Sequence, residues 1–249
     1  MSETLPIGEI FSSIQGEGYL AGRRQIFIRM TGCNLDCRYC DTEYATVDSC
    51  RVEQAPGSND FEIYRQPLTF IRLREILEAW TQALPGAHHS ISITGGEPLL
   101  FAEDLAGWLP ELRRILPIHL ETNGTLASEL EQIIDQVDYI SMDMKLPSTA
   151  GCGEGLWDSH RLFLESAVAK DVSVKIVVGA GTGTAEILRV CAIIAAVRKK
   201  TPLFLQPLTL PDTGCGINAV HLLYLQALAS AQLPDVRVIP QMHKLMGVL

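Results

Sequence analysis

Residues 25–40 read QIFIRMTGCNLDCRYC, an apolar run that predicts a buried strand and leads directly into three cysteines. Similar β-branched runs recur along the chain and alternate with longer segments of helical periodicity, several of which begin at a Ser, Thr or Asn cap. The predicted strands are 25–31, 90–94, 118–122, 139–143, 172–179, 202–207 and 236–240. The predicted helices lie near 69–84, 103–116, 128–136, 159–170, 184–199 and 218–232. Repeated βα units of this kind predict a parallel sheet.

This order of elements predicts an α/β fold, namely a partial TIM-like (β/α) barrel of about six parallel strands. An open doubly wound sheet is the alternative. Residues 46–67 read TVDSCRVEQAPGSNDFEIYRQP and interrupt the repeat with Pro, Gly, Ser and Asn, so we predict an insertion after the cysteines. No linker-like stretch divides the sequence, and we therefore predict a single domain over residues 1–249.

The composition restricts the classes of partner. The formal net charge is -9 at pH 7, which argues against a protein that binds a nucleic-acid backbone, because such binding needs a clustered excess of Lys and Arg. A small-molecule substrate agrees better with this net charge than a nucleic acid does. The first residues show no signal-peptide pattern and no long apolar run is present, so we expect neither secretion nor a membrane span, and a cytoplasmic location.

The cysteines predict a metal centre. Three of the seven, Cys33, Cys37 and Cys40, lie within eight residues, which in a reducing compartment indicates metal ligation rather than disulfides. They could hold three irons of a [4Fe-4S] cubane and leave the fourth open to an exogenous chelate. A structural zinc site with Cys50 or a histidine as fourth ligand is the alternative. The segment Gly95-Gly96-Glu97-Pro98 favours iron, since a flexible loop with a carboxylate suits the ammonium group of a ligand.

Polar residues follow the ends of several predicted strands. Because the carboxyl ends of parallel strands share one edge of a sheet, we expect these residues to converge there and to form the site of the chemistry. They are Cys33, residues 95–98, 121–124 and 143–145, Gln206 and His243.

The combination of CxxxCxxC at Cys33–Cys40 with a GGEP segment resembles the radical S-adenosylmethionine (SAM) superfamily. Three further segments are similar to one branch of it, the 7-carboxy-7-deazaguanine synthase family. They are residues 8–24 (GEIFSSIQGEGYLAGRR), Asp41-Thr42 and residues 241–247 (QMHKLMG), so the resemblance runs from Glu9 to Gly247.

The resemblance implies conversion of 6-carboxy-5,6,7,8-tetrahydropterin to 7-carboxy-7-deazaguanine with loss of ammonia, on the route to queuosine and other deazapurines. It further implies that a 5′-deoxyadenosyl radical removes the C6 hydrogen of the pterin and that SAM is regenerated. A glycyl-radical enzyme activase is the alternative enzyme. A non-catalytic, zinc-stabilised binding module is the alternative from another class.

The resemblance also implies roles for individual residues. Gln15, Gly16 and Glu17 would meet the amino-pyrimidinone edge of the substrate, where the alternative is a solvated turn. Arg29 would grip the substrate carboxylate through its planar fork, where the alternative is an ordinary ion pair at a strand end. Thr94 would also bond the substrate, and the family places the terminal Leu249 near it.

The same resemblance assigns the remaining site. The positions expected to contact SAM or line its pocket are Tyr39, Asp41, Gly95, Gly96, Glu97, Ser141, Lys145 and Gln206. Glu121 and His243 are the expected catalytic residues, although Lys145 with Asp143 could be a structural ion pair and His243 a structural histidine. Thr42 would ligate Mg²⁺. The implied partners are a flavodoxin- or ferredoxin-type reductant and a second copy of the chain in a homodimer.

Overall fold

The computed structural model describes residues 4–40, 48–152, 155–211 and 214–249. Its strands are Thr4–Leu5 (β1), Ile7–Ile14 (β2), Arg24–Met30 (β3), Ser49–Glu53 (β4), Phe61–Arg65 (β5), Leu68–Thr69 (β6), Ser90–Gly95 (β7), Ile118–Thr122 (β8), Tyr139–Asp143 (β9), Asp171–Val178 (β10), Leu203–Pro207 (β11) and Val236–Val238 (β12). Its α-helices are Phe70–Ala83 (α1), Ala102–Ile115 (α2), Ala127–Ile133 (α3), Pro147–Ala150 (α4), Leu156–Ala167 (α5), Thr184–Arg198 (α6), Ala219–Ser230 (α7) and Met242–Met246 (α8). Short 3-10 helices cover Gly18–Leu20, Pro98–Phe101 and Ile134–Gln136.

Side-chain caps begin two of the helices where the sequence predicts them. The Thr69 side chain accepts a hydrogen bond from the backbone N–H of Arg72 at the start of α1, and Asn218 does the same for His221 at the start of α7. Each cap satisfies one of the N–H groups that a helix leaves unpaired at its first turn. All six predicted helices are found, with boundaries that agree within a few residues.

Ten strands form one sheet in the order β12-β11-β10-β9-β8-β7-β3-β2-β4-β5, and a separate pair joins β1 to β6. Every pairing from β3 through β7 to β12 is parallel, so seven strands form the parallel part. The α/β class is confirmed, and the seven parallel strands agree with the prediction of a partial TIM-like barrel of about six. The prediction of one domain over residues 1–249 stays a prediction.

The sheet curves around a central cavity as a partial barrel. Between β10 and β2 lie five strand-to-strand steps, which in a flat sheet would separate them by about 24 Å. Nevertheless Lys175 of β10 forms an ion pair with Glu17, three residues after the end of β2. The sheet must therefore bend to bring its distant strands together, as in a barrel rather than in an open doubly wound sheet.

The alternation of side chains along β10 shows how the core is divided. Val172, Val174, Ile176 and Val178 are fully or almost fully buried and belong to the main hydrophobic core. Two residues of the opposite parity, Lys175 and Val177, line the cavity. The apolar layer between sheet and helices thus stabilises the fold, and the inner face remains available for polar groups.

The N-terminal strand β2 was not predicted. It pairs antiparallel with β3 and parallel with β4, and a register irregularity lies between Ile7 and Glu9. Its sequence IGEIFSSI is buried along most of its length, so it lacks the polar and apolar alternation of a strand with one solvated face. From residue 48 onward, the predicted insertion contains the antiparallel hairpin of β4 and β5, which extends the sheet beyond β2.

No helix in the described part of the chain is long and apolar enough to cross a membrane.

Candidate active site

The curved sheet encloses a cavity of about 660 Å³ at the carboxyl ends of its parallel strands. That volume is in the range of small-molecule and cofactor sites. Most of the residues predicted for the site line it: Gln15, Gly16, Glu17, Arg29, Cys33, Cys37, Tyr39, Cys40, Thr94, Gly95, Gly96, Glu121, Ser141, Lys145, Gln206, His243 and Leu249. Asp41 and Thr42 lie outside the described residues, so their predicted contacts with SAM and Mg²⁺ stay predictions.

The cysteine loop leaves the end of β3 and lies at the rim of the cavity. Cys33, Cys37 and Cys40 are free thiols there, and the backbone N–H of Leu35 lies 3.4 Å from Cys33 Sγ as a donor. Hydrogen bonds to sulfur are a feature of iron–sulfur sites. Burial raises the pKa of Cys37 to about 12, so the bare thiol is protonated at neutral pH and must lose a proton when it ligates iron.

Cys152 lies beside this loop, which the sequence did not indicate. Its Sγ is 3.9 Å from Cys37 Sγ, and the backbone N–H of Arg38 donates to Ala150 O at 3.0 Å, which fixes the two segments against each other. Among the described residues, no group of three or more His, Cys, Asp or Glu side chains is arranged to hold a single metal ion. The thiol donor set and its position at the cavity suit a cubane with one open iron.

The GGEP loop packs tightly against the cysteine loop. A Cβ on Gly95 would overlap Met30 O, a Cβ on Gly96 would overlap Gly32 O, and Gly95 has φ +132. Only glycine allows the backbone to come this close. The two glycines line the cavity, so their backbone groups are accessible to a ligand beside the cluster.

Glu97 is the one residue of the GG dipeptide and its following carboxylate that does not line the cavity, and its predicted contact with SAM stays a prediction. Its side chain is fully buried and does not belong to the cavity wall, because its oxygens accept hydrogen bonds from Thr122 Oγ1, Asn123 N and Leu99 N. Burial raises its pKa to about 7, although these hydrogen bonds counteract the rise. The carboxylate ties the GGEP loop to the end of β8.

Arg29 forms the ion pair that the sequence offered as its alternative role, and its predicted contact with the substrate stays a prediction. Its Nε donates to Glu9 Oε2 at 3.1 Å, which is the ion pair, and its side chain also lines the cavity. A second cation, Arg51 of the inserted hairpin, donates from Nη1 to Glu9 Oε1 at 2.7 Å. The sequence analysis missed Glu9 and Arg51, because β2 and the hairpin were not predicted to lie beside β3.

The segment after β2 is held by the C-terminal tail. Met242 N donates to Gly16 O at 3.0 Å, Gln241 Nε2 donates to Glu17 Oε1 at 2.8 Å, and Ser13 Oγ donates to Leu249 O at 2.7 Å. These bonds place His243 and Leu249 at the cavity with the QGEG segment. The alternative of a solvated turn is wrong for Glu17, because its carboxylate accepts hydrogen bonds from Lys175, Gln206 and Gln241.

Glu121 and Ser141 are connected to a buried polar layer beneath the cavity. Glu121 Oε1 accepts hydrogen bonds from Gln15 Nε2 at 3.1 Å and Ser92 Oγ at 2.5 Å. Ser141 Oγ lies 2.8 Å from Nε2 of His119, a fully buried histidine whose pKa is lowered by burial. Rigid support of this kind fixes the rotamers of both cavity residues.

Lys145 forms the ion pair with Asp143 that the sequence analysis kept open. The two side chains meet at 2.9 Å, and Lys145 Nζ also donates to Tyr39 OH at 3.2 Å. Asp143 is buried, which by itself raises its pKa, but Lys145 and Lys175 lower it to about 2. Lys175 was not singled out in the sequence, although its inward position follows from the alternation along β10.

Comparison with known proteins agrees with this arrangement. A sequence profile of the radical SAM superfamily matches residues 27–196. The 7-carboxy-7-deazaguanine synthase of Geobacter sulfurreducens is 51% identical to this chain, over 97% of this chain and 96% of its own length. The enzyme of the same name from Methanothermobacter thermautotrophicus is 37% identical, over 98% and 97% of the two chains.

This chain belongs to the 7-carboxy-7-deazaguanine synthase family of radical SAM enzymes. The crystal structure of QueE from Escherichia coli has the same fold, with a TM-score of 0.56 at 20% identity over 96% of this chain and 95% of that one. Membership of the superfamily makes a [4Fe-4S] cluster and SAM the cofactors of this enzyme. The glycyl-radical activase and the zinc-stabilised module lose their support, because the relatives match over nearly the whole chain.

Proposed function

We propose that this enzyme converts 6-carboxy-5,6,7,8-tetrahydropterin to 7-carboxy-7-deazaguanine and ammonia, in the biosynthesis of queuosine and related deazapurines. The 51% identity to a synthase of that name supports the proposal. The structural observation that carries it is one cavity lined by the three cysteines, by Arg29 and by the buried carboxylate of Glu17. Such a cavity can hold a cluster and SAM beside an anionic heterocycle.

Removal of the C6 hydrogen of the pterin by a 5′-deoxyadenosyl radical is the chemistry that the cluster and SAM supply when bound. Cys33, Cys37 and Cys40 would hold three irons. The backbone groups of Gly95 and Gly96 would contact the methionine part of SAM. The positions assigned to the rest of the SAM pocket are Tyr39, Ser141, Lys145 and Gln206, all of which line the cavity.

Arg29 would bind the substrate carboxylate. Burying an unpaired anion costs several kcal/mol, so the pocket must offer a cation, and a guanidinium can give two parallel donors. Glu9 already accepts from Nε of Arg29 and so orients the guanidinium. Thr94, the Cα partner of Arg29 across the β3–β7 pairing, would add a hydroxyl donor to the same wall.

Glu121 and His243 would transfer the protons that ring contraction and the loss of ammonia require. They lie on different walls, Glu121 in β8 and His243 in α8. The leaving nitrogen needs a proton, which a carboxyl or imidazole group within hydrogen-bond reach can deliver.

A magnesium ion at Thr42, with Asp41 beside SAM, is proposed from the resemblance. Mg²⁺ prefers hard oxygen ligands, and a hydroxyl together with the substrate carboxylate would supply them. Thr42→Ala should weaken the dependence of turnover on Mg²⁺. Identical metal titration curves for Thr42→Ala and the parent would remove Thr42 from the site.

The decisive experiment is an anaerobic incubation of the reconstituted enzyme with SAM, reductant, Mg²⁺ and the carboxy-tetrahydropterin, followed by mass analysis. We expect 7-carboxy-7-deazaguanine and ammonia in equal amounts, with SAM not consumed. A protein reconstituted with full iron and sulfide content that leaves the pterin unchanged would contradict the proposed function.

We further propose a flavodoxin- or ferredoxin-type reductant, a homodimer and a cytoplasmic location, all of which the family resemblance supports. In the single chain, α7 exposes Val220, Leu223 and Tyr224, an apolar surface that a second copy could cover. Light scattering of the anaerobic protein should give twice the mass of one chain. A monomer at micromolar concentration would contradict the homodimer.

A further inference from the structure

Lys175 is a buried lysine on the inner face of the barrel that the family resemblance did not assign. It lies directly opposite Asp143 in the parallel register of β9 and β10, and 15% of its side chain is exposed. Its ammonium group contacts two carboxylates, Glu17 Oε2 and, at 3.0 Å, Asp143 Oδ2. Lys175 therefore joins the β10 wall to the segment proposed to meet the substrate.

The charges around Lys175 balance. Two carboxylates, Glu17 and Asp143, face two ammonium groups, Lys145 and Lys175, in a region where unpaired charge is costly. Lys145 contacts Asp143, whereas Lys175 contacts both carboxylates. Without Lys175, the ion-pair partner of Glu17 would be gone, and Glu17 would face Asp143 with no cation between them.

Lys175 also fixes the direction of the Glu17 carboxylate. Glu17 Oε1 accepts from Gln206 Nε2 at 3.1 Å and Gln241 Nε2 at 2.8 Å, and Oε2 accepts from Lys175. A carboxylate has about four lone-pair positions, so one acceptor position remains on Oε2. Burial raises the pKa of Glu17, but Lys175 and Gln241 outweigh it and bring the pKa below its ordinary value, so the group is an acceptor at neutral pH.

Two further acceptors lie in the same wall. Within the part of the chain that the structure describes, Gln206 Oε1 and Asp143 Oδ1 are buried and have no hydrogen-bond partner. Both residues line the cavity. Buried polar atoms without partners are costly, and acceptors at a cavity wall suit a ligand that brings N–H donors.

We infer that Lys175 is a positioning residue that holds Glu17 as a hydrogen-bond acceptor for the amino-pyrimidinone edge of the substrate and thereby selects a heterocycle with N–H donors there. This inference rests on the proposed function, because it takes the pterin as the ligand. Lys175 itself acts through Glu17.

The test compares the carboxy-tetrahydropterin with its analogue lacking the 2-amino group, in anaerobic titrations of the cluster-loaded enzyme with SAM. A hydrogen bond to a charged acceptor gives the parent a preference of about tenfold or more for the amino compound. In Lys175→Met this preference should fall to within about threefold. Lys200→Met, the same change at an exposed position, should retain the full preference.

Lys175→Met combined with Glu17→Gln supplies a double-mutant cycle. If Lys175 acts through Glu17, the double variant binds the amino compound no more weakly than Glu17→Gln alone, and Lys175→Arg recovers part of the preference. A purely structural lysine would weaken both compounds equally and leave the preference unchanged.

The outcomes distinguish a failure of the role proposed for Lys175 from a failure of the proposed function. If the parent forms 7-carboxy-7-deazaguanine and Lys175→Met keeps the parental preference, the role of Lys175 is wrong and the proposed function stands. If the parent neither binds nor converts the pterin, both are wrong. Should Lys175→Met be insoluble, Lys175→Arg takes its place: a preference below that of the parent supports the role of Lys175, and the full parental preference contradicts it.

Discussion

At the level of single residues, Arg29 shows how a cation at the cavity wall is held in place by its neighbours. Glu9 bridges Arg29 and Arg51, at 3.1 Å and 2.7 Å, so two guanidinium groups lie at one end of the cavity. Arg29 also lies over the ring of Phe11, 5.5 Å from its centroid. A positively charged group with this support loses little side-chain entropy when an anion binds.

We predict that Arg29→Ala weakens substrate binding by about 2 to 5 kcal/mol, the usual cost of truncating one partner of a buried charge pair. Arg29→Lys should keep the cluster and uncoupled SAM cleavage and raise the KM, because lysine offers a point charge instead of a planar fork. Anaerobic titration measures how tightly each variant binds the pterin, and turnover kinetics give the KM of Arg29→Lys. If Arg29→Ala binds the pterin as tightly as the parent, another cation holds the carboxylate.

The cysteines allow a second prediction for single residues. Cys33→Ala, Cys37→Ala or Cys40→Ala should abolish cluster assembly and SAM cleavage, because two thiolates cannot secure three irons. Cys50→Ala should retain full iron content, since Cys50 is buried in the β4 strand within the hydrophobic core. Iron and sulfide analysis of each variant after reconstitution tests this prediction. Loss of iron in Cys50→Ala together with retention in one of the others would overturn the ligand assignment.

At the level of elements, the QGEG segment and the C-terminal helix α8 form one wall. Their contact is close: a Cβ on Gly16 would overlap His243 Nδ1 and lie 2.8 Å from His243 N. The tail therefore depends on a glycine at residue 16 for its position. Both segments carry predicted substrate contacts, so a shift of one moves the other.

Gly16→Ala should push α8 away from the QGEG segment. Overpacking of this kind costs about 1 to 3 kcal/mol, and we expect it to appear as a higher substrate KM with an intact cluster. Gly181→Ala is the matched control, because a Cβ there meets open space. Equal KM values for Gly16→Ala and the parent would show that α8 does not shape the substrate site.

At the level of the whole molecule, His160 joins the loops that follow β8 and β9 to α5. The ring Nδ1 lies 2.9 Å from Gly124 O and Nε2 lies 3.1 Å from the backbone N of Lys145, so a neutral ring donates to one loop and accepts from the other. Burial lowers the pKa of His160 to about 4, although the bond to Gly124 counteracts this. The α5 helix is thereby tied to the ends of β8 and β9.

This histidine predicts a pH dependence of stability. Its pKa is 6.5 in the unfolded chain and about 4 in the folded one, so the unfolded state binds more protons between these values. The stabilisation is complete above pH 6.5 and is lost as the pH falls toward 4, with a slope of up to about 1.4 kcal/mol per pH unit. Denaturant unfolding should show this slope in the parent and a smaller one in His160→Gln. An unchanged slope would mean that His160 does not titrate in this window.

Much of the fold was predictable because local patterns decide it. The β10 sequence VSVKIVV alternates only in part, yet its apolar run and its flanking helices marked it as a strand of a βα unit. The β2 strand escaped prediction because it is buried on both faces and holds Ser12 and Ser13 in the interior, where Ser12 bonds with His88 and Glu53. Such burial depends on partners that lie far away in sequence.

The sequence by itself determined the α/β class, the cysteine and GGEP segments, and the family, because these depend on residue types at short spacings. Only the tertiary structure showed that Glu97 ties two loops together and that Glu9 supports Arg29. It alone also brought Lys175 from β10 to Glu17 after β2. The physical reason is that these contacts depend on strand pairing and on the curvature of the sheet. Glu9 and Arg29 meet because β2 pairs with β3, whereas the curvature brings Lys175 to Glu17 across 158 residues of sequence. Tertiary contacts of this kind decide whether a buried charge contacts a ligand or a neighbouring side chain.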